Sequence, residues 1–146
     1  MYEINDGTLA VLFKESGKSE ILEEDNQYVF EEKPYKIMDY SCQYFGSSYE
    51  GREQGSQNIL GSSRYKVPVI VEESRDLIFF PTVSPSSYDC SWIALNQIKS
   101  YEKMDQNTKI IFKNNQEIIL PISYRSIENQ ILRATRLEAI MHRRKS

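Results

Sequence analysis

The spacing of apolar positions changes character along the chain, and each change marks an element. Thr8–Lys14 (TLAVLFK) and Ser19–Glu23 flank a turn at Gly17 and predict a hairpin, with Gln27–Phe30 as a short third strand. Pro34 suits the first turn of a helix, where its missing N–H is not needed. Across Tyr35–Phe45, Ile37, Tyr40, Cys42 and Phe45 recur at helical spacing, and Gly46 is placed to end that helix. A second helical piece is expected from Ser48 to Leu60, because Ile59 and Leu60 need an apolar surface to meet. Val67–Val71 and Leu77–Phe80 read as strands separated by polar EESRD, and Ser84–Asp89 as a loop. Ser91–Ile98, Lys109–Phe112 and Glu117–Leu120 continue the strand pattern, with Asn114–Asn115 supplying the turn of the last hairpin.

After Pro121 the pattern becomes helical from about Tyr124 to Arg143. At about 100° per residue, Ile127, Ile131, Ala134, Leu137 and Met141 share one face. Arg125, Arg133, Arg136, Arg143 and Arg144 fall on the other side. Ser123 or Ser126 can cap the start. The expectation is an α+β fold and a single domain over residues 1–146. It consists of mostly antiparallel strands and hairpins, a short helical segment near 35–60 and a long C-terminal helix.

Composition narrows the class. Apolar residues make up 40% of the 146 and charged residues 27%, the range of water-soluble globular chains. There is no apolar run of transmembrane length, and MYEINDGTLAVLF lacks the basic start of a signal peptide, so no membrane partner is expected. Cys42 and Cys90 have no CxxC spacing and point to a reducing compartment and core positions. The net charge of −3 conceals a polarity: residues 1–60 carry −7 and residues 61–146 carry +4. Residues 121–146 alone hold 6 bases against 2 acids. That distribution suggests a localised anion-binding surface, with unevenly charged solvated faces as the alternative.

Little in the sequence supports catalysis. His142 is the single histidine, near the chain end among basic residues, and reads as an exposed tail residue. Cys42, Cys90 and His142 have no zinc-ligand spacing, so neither a metal nor a cofactor is expected. The stretch FGSSYEGREQG has the GxxxxG spacing of a phosphate loop at Gly46 and Gly51, but Arg52 and Glu53 stand where lysine and Ser/Thr belong. It is poor in core residues and rich in donors. Either it is a structural turn between two helical pieces, or Ser47, Ser48 and Tyr49 donate to phosphate and present Arg52. Arg64 and Lys66, after Gly61-Ser-Ser, form a second basic patch. Arg125, Arg133 and Arg136 form a third, unless Arg133 and Arg136 pair along the helix with Glu128 and Glu138.

SCQYFGSSYEGREQG (41–55), KVPVIV (66–71), LIFFPT (77–82), CSWI (90–93) and LPISYRSIENQILRA (120–134) resemble the competence transcription factor family, ComK, of Firmicutes, collinearly from about residue 1 to 137. The resemblance implies a sequence-specific DNA-binding activator of DNA-uptake genes, cytoplasmic and nucleoid-associated. It implies double-stranded DNA as partner, bound at AT-rich boxes through the minor groove, and self-association as dimers and tetramers. RNA polymerase is a further candidate partner. Family members extend past the long helix into a tail used for activation and adaptor-guided proteolysis. This chain stops at Ser146, so docking to a Clp-type protease adaptor is not expected of it. The competing expectation is a protein-interaction module, or a shortened relative that modulates a full-length factor without binding DNA.

Overall fold

The computed structural model describes residues 1–61 and 66–145. Candidate Arg64 lies outside the described residues. The chain runs β1 (Thr8–Lys14), β2 (Lys18–Glu23), β3 (Gln27–Phe30), α1 (Pro34–Tyr44), α2 (Tyr49–Leu60), β4 (Val69–Glu72), β5 (Leu77–Pro81), β6 (Trp92–Ala94), β7 (Ile98–Met104), β8 (Asn107–Phe112), β9 (Glu117–Leu120) and α3 (Tyr124–Lys145). The fold is α+β, as expected. β1 to β6 form a six-stranded antiparallel sheet in the order β3-β2-β1-β6-β5-β4, and β7-β8-β9 a separate three-stranded one.

Antiparallel sheets commonly wet one face, but alternate residues of this six-stranded sheet enter two different cores. Ala10, Leu22, Ile70, Ile78, Phe80 and Ile93 face α3 and the smaller sheet, meeting Ile110, Phe112, Ile127, Ala134 and Leu137. Val11, Ile21, Val69, Val71, Phe79 and Trp92 face the other way, toward Ile37, Met38 and Cys42 of α1 and Tyr49 of α2. The pairing register keeps the two sets apart: Ala10 and Phe80 oppose Ile93, while Val11 and Pro81 oppose Trp92. That double cover explains why VIV, LIFFP and WIA carry no polar alternation. Each large apolar side chain so buried is worth roughly 1.5–3 kcal/mol.

One expected element differs. The run Ser91–Ile98 is divided: β6 ends at Ala94, a 3-10 turn spans Leu95–Gln97, and a new strand, β7, begins at Ile98. β7 lies at the edge of the smaller sheet and exposes most of its residues. Its sequence, IKSYEKM, therefore shows no apolar alternation to read.

The two helix junctions that matter for function have local causes. α1 ends at Gly46 (φ +93°), whose N–H donates to Gln43 O at 2.9 Å, while the Ser47 N–H donates to Cys42 O at 2.9 Å. This is the paired closure that glycine permits past a helix end. Ser48 then caps α2, its Oγ accepting from the Gly51 N–H at 3.0 Å. α2 closes at Gly61 (φ +79°), with its N–H on Gln57 O at 3.0 Å.

Candidate nucleic-acid interface

The cationic candidates gather mainly where the end of α2 meets α3. Arg136 Nη1 donates to the Leu60 carbonyl at 3.2 Å, the last turn of α2. Arg133 Nη1 donates to the Lys66 carbonyl at 3.4 Å and to Gln130 Oε1 at 3.2 Å. The two arginines therefore grip both ends of the 61–66 connection. Lys66 holds a left-handed backbone (φ +56°), and its carbonyl also accepts from Gln130 Nε2 at 2.7 Å. A guanidinium at the last carbonyls of α2 is also favoured by the helix dipole. It spends one of five donors there, so the exposed remainder of Arg136 is available to an anion.

Arg125 is exposed on the first turn of α3, where a cation gains nothing from the dipole, and has no partner among the described residues. It stands eleven residues before Arg136, about 16 Å along the axis and on nearly the same face. Asn129 and Leu132 lie exposed between them. The helical acids do not neutralise this stripe in the expected way. Glu128 Oε2 accepts from Tyr101 and Tyr124 at 3.5 Å, and Glu138 Oε2 accepts from Asn96 at 2.8 Å.

The donor-rich turn is a different place with a different character. Tyr49 is 1% exposed, its Oη accepts from Trp92 Nε1 at 3.1 Å, and its N–H donates to Asp39 Oδ1 at 2.9 Å. It is a core residue: its N–H is taken by Asp39 and burial keeps its phenol from phosphate. Ser47 and Ser48 crowd Gly51: a methyl there would stand 2.8 Å and 3.2 Å from their Oγ atoms. Arg52 is half-buried, and its Nη2 donates to the Phe45 carbonyl at the end of α1, at 3.4 Å. Its Nε is buried without a hydrogen-bond partner among the described residues. Arg52 and Arg136 thus sit near opposite ends of α2, each on the final carbonyls of a helix. The structure places Arg133 on the Lys66 backbone carbonyl and Arg136 on the Leu60 carbonyl, apart from Ser47, Ser48 and Arg52.

Sequence reasoning missed Gln130. It is 2% exposed, and Nε2 donates both to Lys66 O and to Pro81 O at 2.8 Å, tying α3 to β5 and to the 61–66 connection. The signal was a glutamine at the edge of an otherwise apolar helical stripe. A cavity of about 580 Å³ lies on the other face of the molecule, lined by Tyr35, Tyr88, Trp92, Glu53 and Cys90. Burial pushes the Cys90 thiol up to about 12, which makes it a poor nucleophile.

Comparison with known proteins places the chain. The family described as "ComK protein" matches residues 1–146. The chain belongs to the ComK family. It is 40% identical over 136 residues to the "Competence transcription factor" of Bacillus subtilis (strain 168), covering 90% of this chain and 70% of that protein. No solved structure matches the chain.

Proposed function

We propose that this chain is a regulator of competence transcription that binds AT-rich double-stranded DNA through the minor groove. It works as dimers and tetramers on paired boxes and acts with RNA polymerase as an activator. Kinship supports the transcriptional part of this reading. The observation that carries the DNA part is the pair Arg133 and Arg136 on the two ends of the 61–66 connection, with Arg125 turned outward on the same helix. Narrow, electronegative A-tract grooves attract inserted arginine, and fixed guanidinium forks suit phosphate. Because the chain is acidic overall, a local basic face rather than net charge must supply the attraction.

The test is a gel-shift titration of the full chain. The probes are paired A-tract and T-tract boxes and a GC-rich duplex of equal length, at two salt concentrations. The AT-rich probe should bind more tightly, with affinity falling as salt rises through counterion release. Arg125→Ala should lower the log–log salt slope by about 1. Equal affinity for both probes would reject groove recognition. No binding to either would favour a module that engages a protein partner instead.

A further inference from the structure

We propose that Asp76, Glu138 and His142 form a surface site for one divalent cation of the zinc class. One ligand atom from each lies within 4.8 Å of the other two, the one such cluster among the described residues. Glu138 and His142 stand one helical turn apart on α3, so their side chains run side by side. Asp76 is brought to them by the turn between β4 and β5, and is separated from His142 by 66 positions in the chain. No sequence motif joins the three, which is why His142 reads as a tail residue in the sequence. The site lies on the flank of α3 away from Arg133.

The geometry needs little change to accept a metal. His142 Nε2 and Asp76 Oδ1 are 2.8 Å apart, within hydrogen-bond distance. Around a tetrahedral cation with bonds of about 2.0–2.1 Å, neighbouring donors stand about 3.4 Å apart. His142 and Asp76 must therefore part by roughly 0.6 Å while Glu138 closes in. The His142 and Asp76 side chains are 50% and 36% exposed, so they are free to do so. A supporting outer group is already in place. Asn96 Nδ2 donates to Glu138 Oε2 at 2.8 Å and to the Asp76 carbonyl at 3.1 Å, which orients one ligand and anchors the segment carrying another.

The donor set selects the cation. Imidazole nitrogen and carboxylate oxygen are both zinc-ligand types, and three protein ligands leave a fourth tetrahedral position for water. An imidazole nitrogen disfavours magnesium and calcium, which take oxygen. The two carboxylates offset the dication's charge. The neighbouring Lys145 ammonium is directed to the Glu73 carbonyl at 3.5 Å, not into the cluster. An occupied site would tie the last turn of α3, with Arg143, Arg144 and Lys145, to the β4–β5 turn.

The experiment is calorimetric titration of ZnCl2 into the chelator-stripped full chain, with MgCl2 as the control. Zinc should bind saturably at one per chain and magnesium should not. His142→Ala and Glu138→Gln should each weaken zinc at least tenfold. Asn96→Ala, which touches no metal, should weaken it by about tenfold. Circular dichroism confirms that each variant stays folded. The spectrum of the cobalt-loaded protein should lack a thiolate charge-transfer band. Absence of saturable binding, unchanged affinity in His142→Ala, or a thiolate band that moves the metal to Cys42 or Cys90 would each overturn the proposal.

Discussion

Arg52 carries two opposing effects in one side chain. Its Nη2 reaches the Phe45 carbonyl at the end of α1, a contact worth about 0.3–1 kcal/mol through the helix dipole. Its Nε is buried without a partner among the described residues, which costs roughly 1–3 kcal/mol. The 3.4 Å separation to Phe45 makes the favourable contact a weak one. Arg52→Met keeps most of the stem and removes both effects. The cost outweighs the gain, so the variant should be more stable than the parent by about 1–2 kcal/mol in a urea titration. With the fold retained, the same variant reads the functional question cleanly. A drop in affinity for AT-rich DNA assigns Arg52 to the interface, and unchanged affinity leaves it a helix-end residue.

At the scale of elements, α3 was the most legible part of the sequence and also hid the most. Its apolar face, Ile127, Ala134 and Leu137, is buried as the periodicity requires. β1 to β3 and the α1–Gly46–α2 junction also follow from local signals. β7 was illegible because, in this edge strand, only Ile98 and Tyr101 turn toward the core, too few to set a period. Of the candidate interface, residue types and periodicity marked Arg133, Arg136 and Lys66 as basic positions. That the two arginines bracket one connection follows only from how α2 and α3 pack. Gln130 tests that packing. Gln130→Leu improves the apolar stripe by pattern alone, yet it strips the Pro81 carbonyl of this donor and leaves the Lys66 carbonyl only the longer Arg133 contact at 3.4 Å. Unsatisfied buried acceptors cost roughly 1–3 kcal/mol, comparable to or above what one buried leucine returns against a site shaped for an amide. The variant should melt below the parent. A higher melting temperature would show that the amide is dispensable there.

The whole molecule places its ionisable core groups on one side of the six-stranded sheet, where α1 and α2 cover Cys42, Tyr49 and Cys90. Both thiols are free. Burial pushes each from its ordinary value of 9.0 up to about 12, only partly offset at Cys42 by the positive charge of Arg52. Burial also raises the Tyr49 phenol, against the hydrogen bond it accepts from Trp92. A folded pKa above the unfolded one favours the protonated form in the native state. The resulting stability is therefore complete below about pH 9 and is lost as pH rises toward about 12, because only the unfolded chain releases the protons early. Each thiol should contribute a slope of up to about 1.4 kcal/mol per pH unit within that window. Thermal midpoints should be flat around neutrality and fall steeply above pH 9. Replacing both cysteines by alanine should lower the neutral midpoint, through lost packing, but flatten the alkaline decline. At pH 8 a thiol reagent should label neither cysteine until denaturant is added. Prompt labelling of the native protein would mean that this side of the sheet opens on its own, and that burial does not hold the thiols protonated.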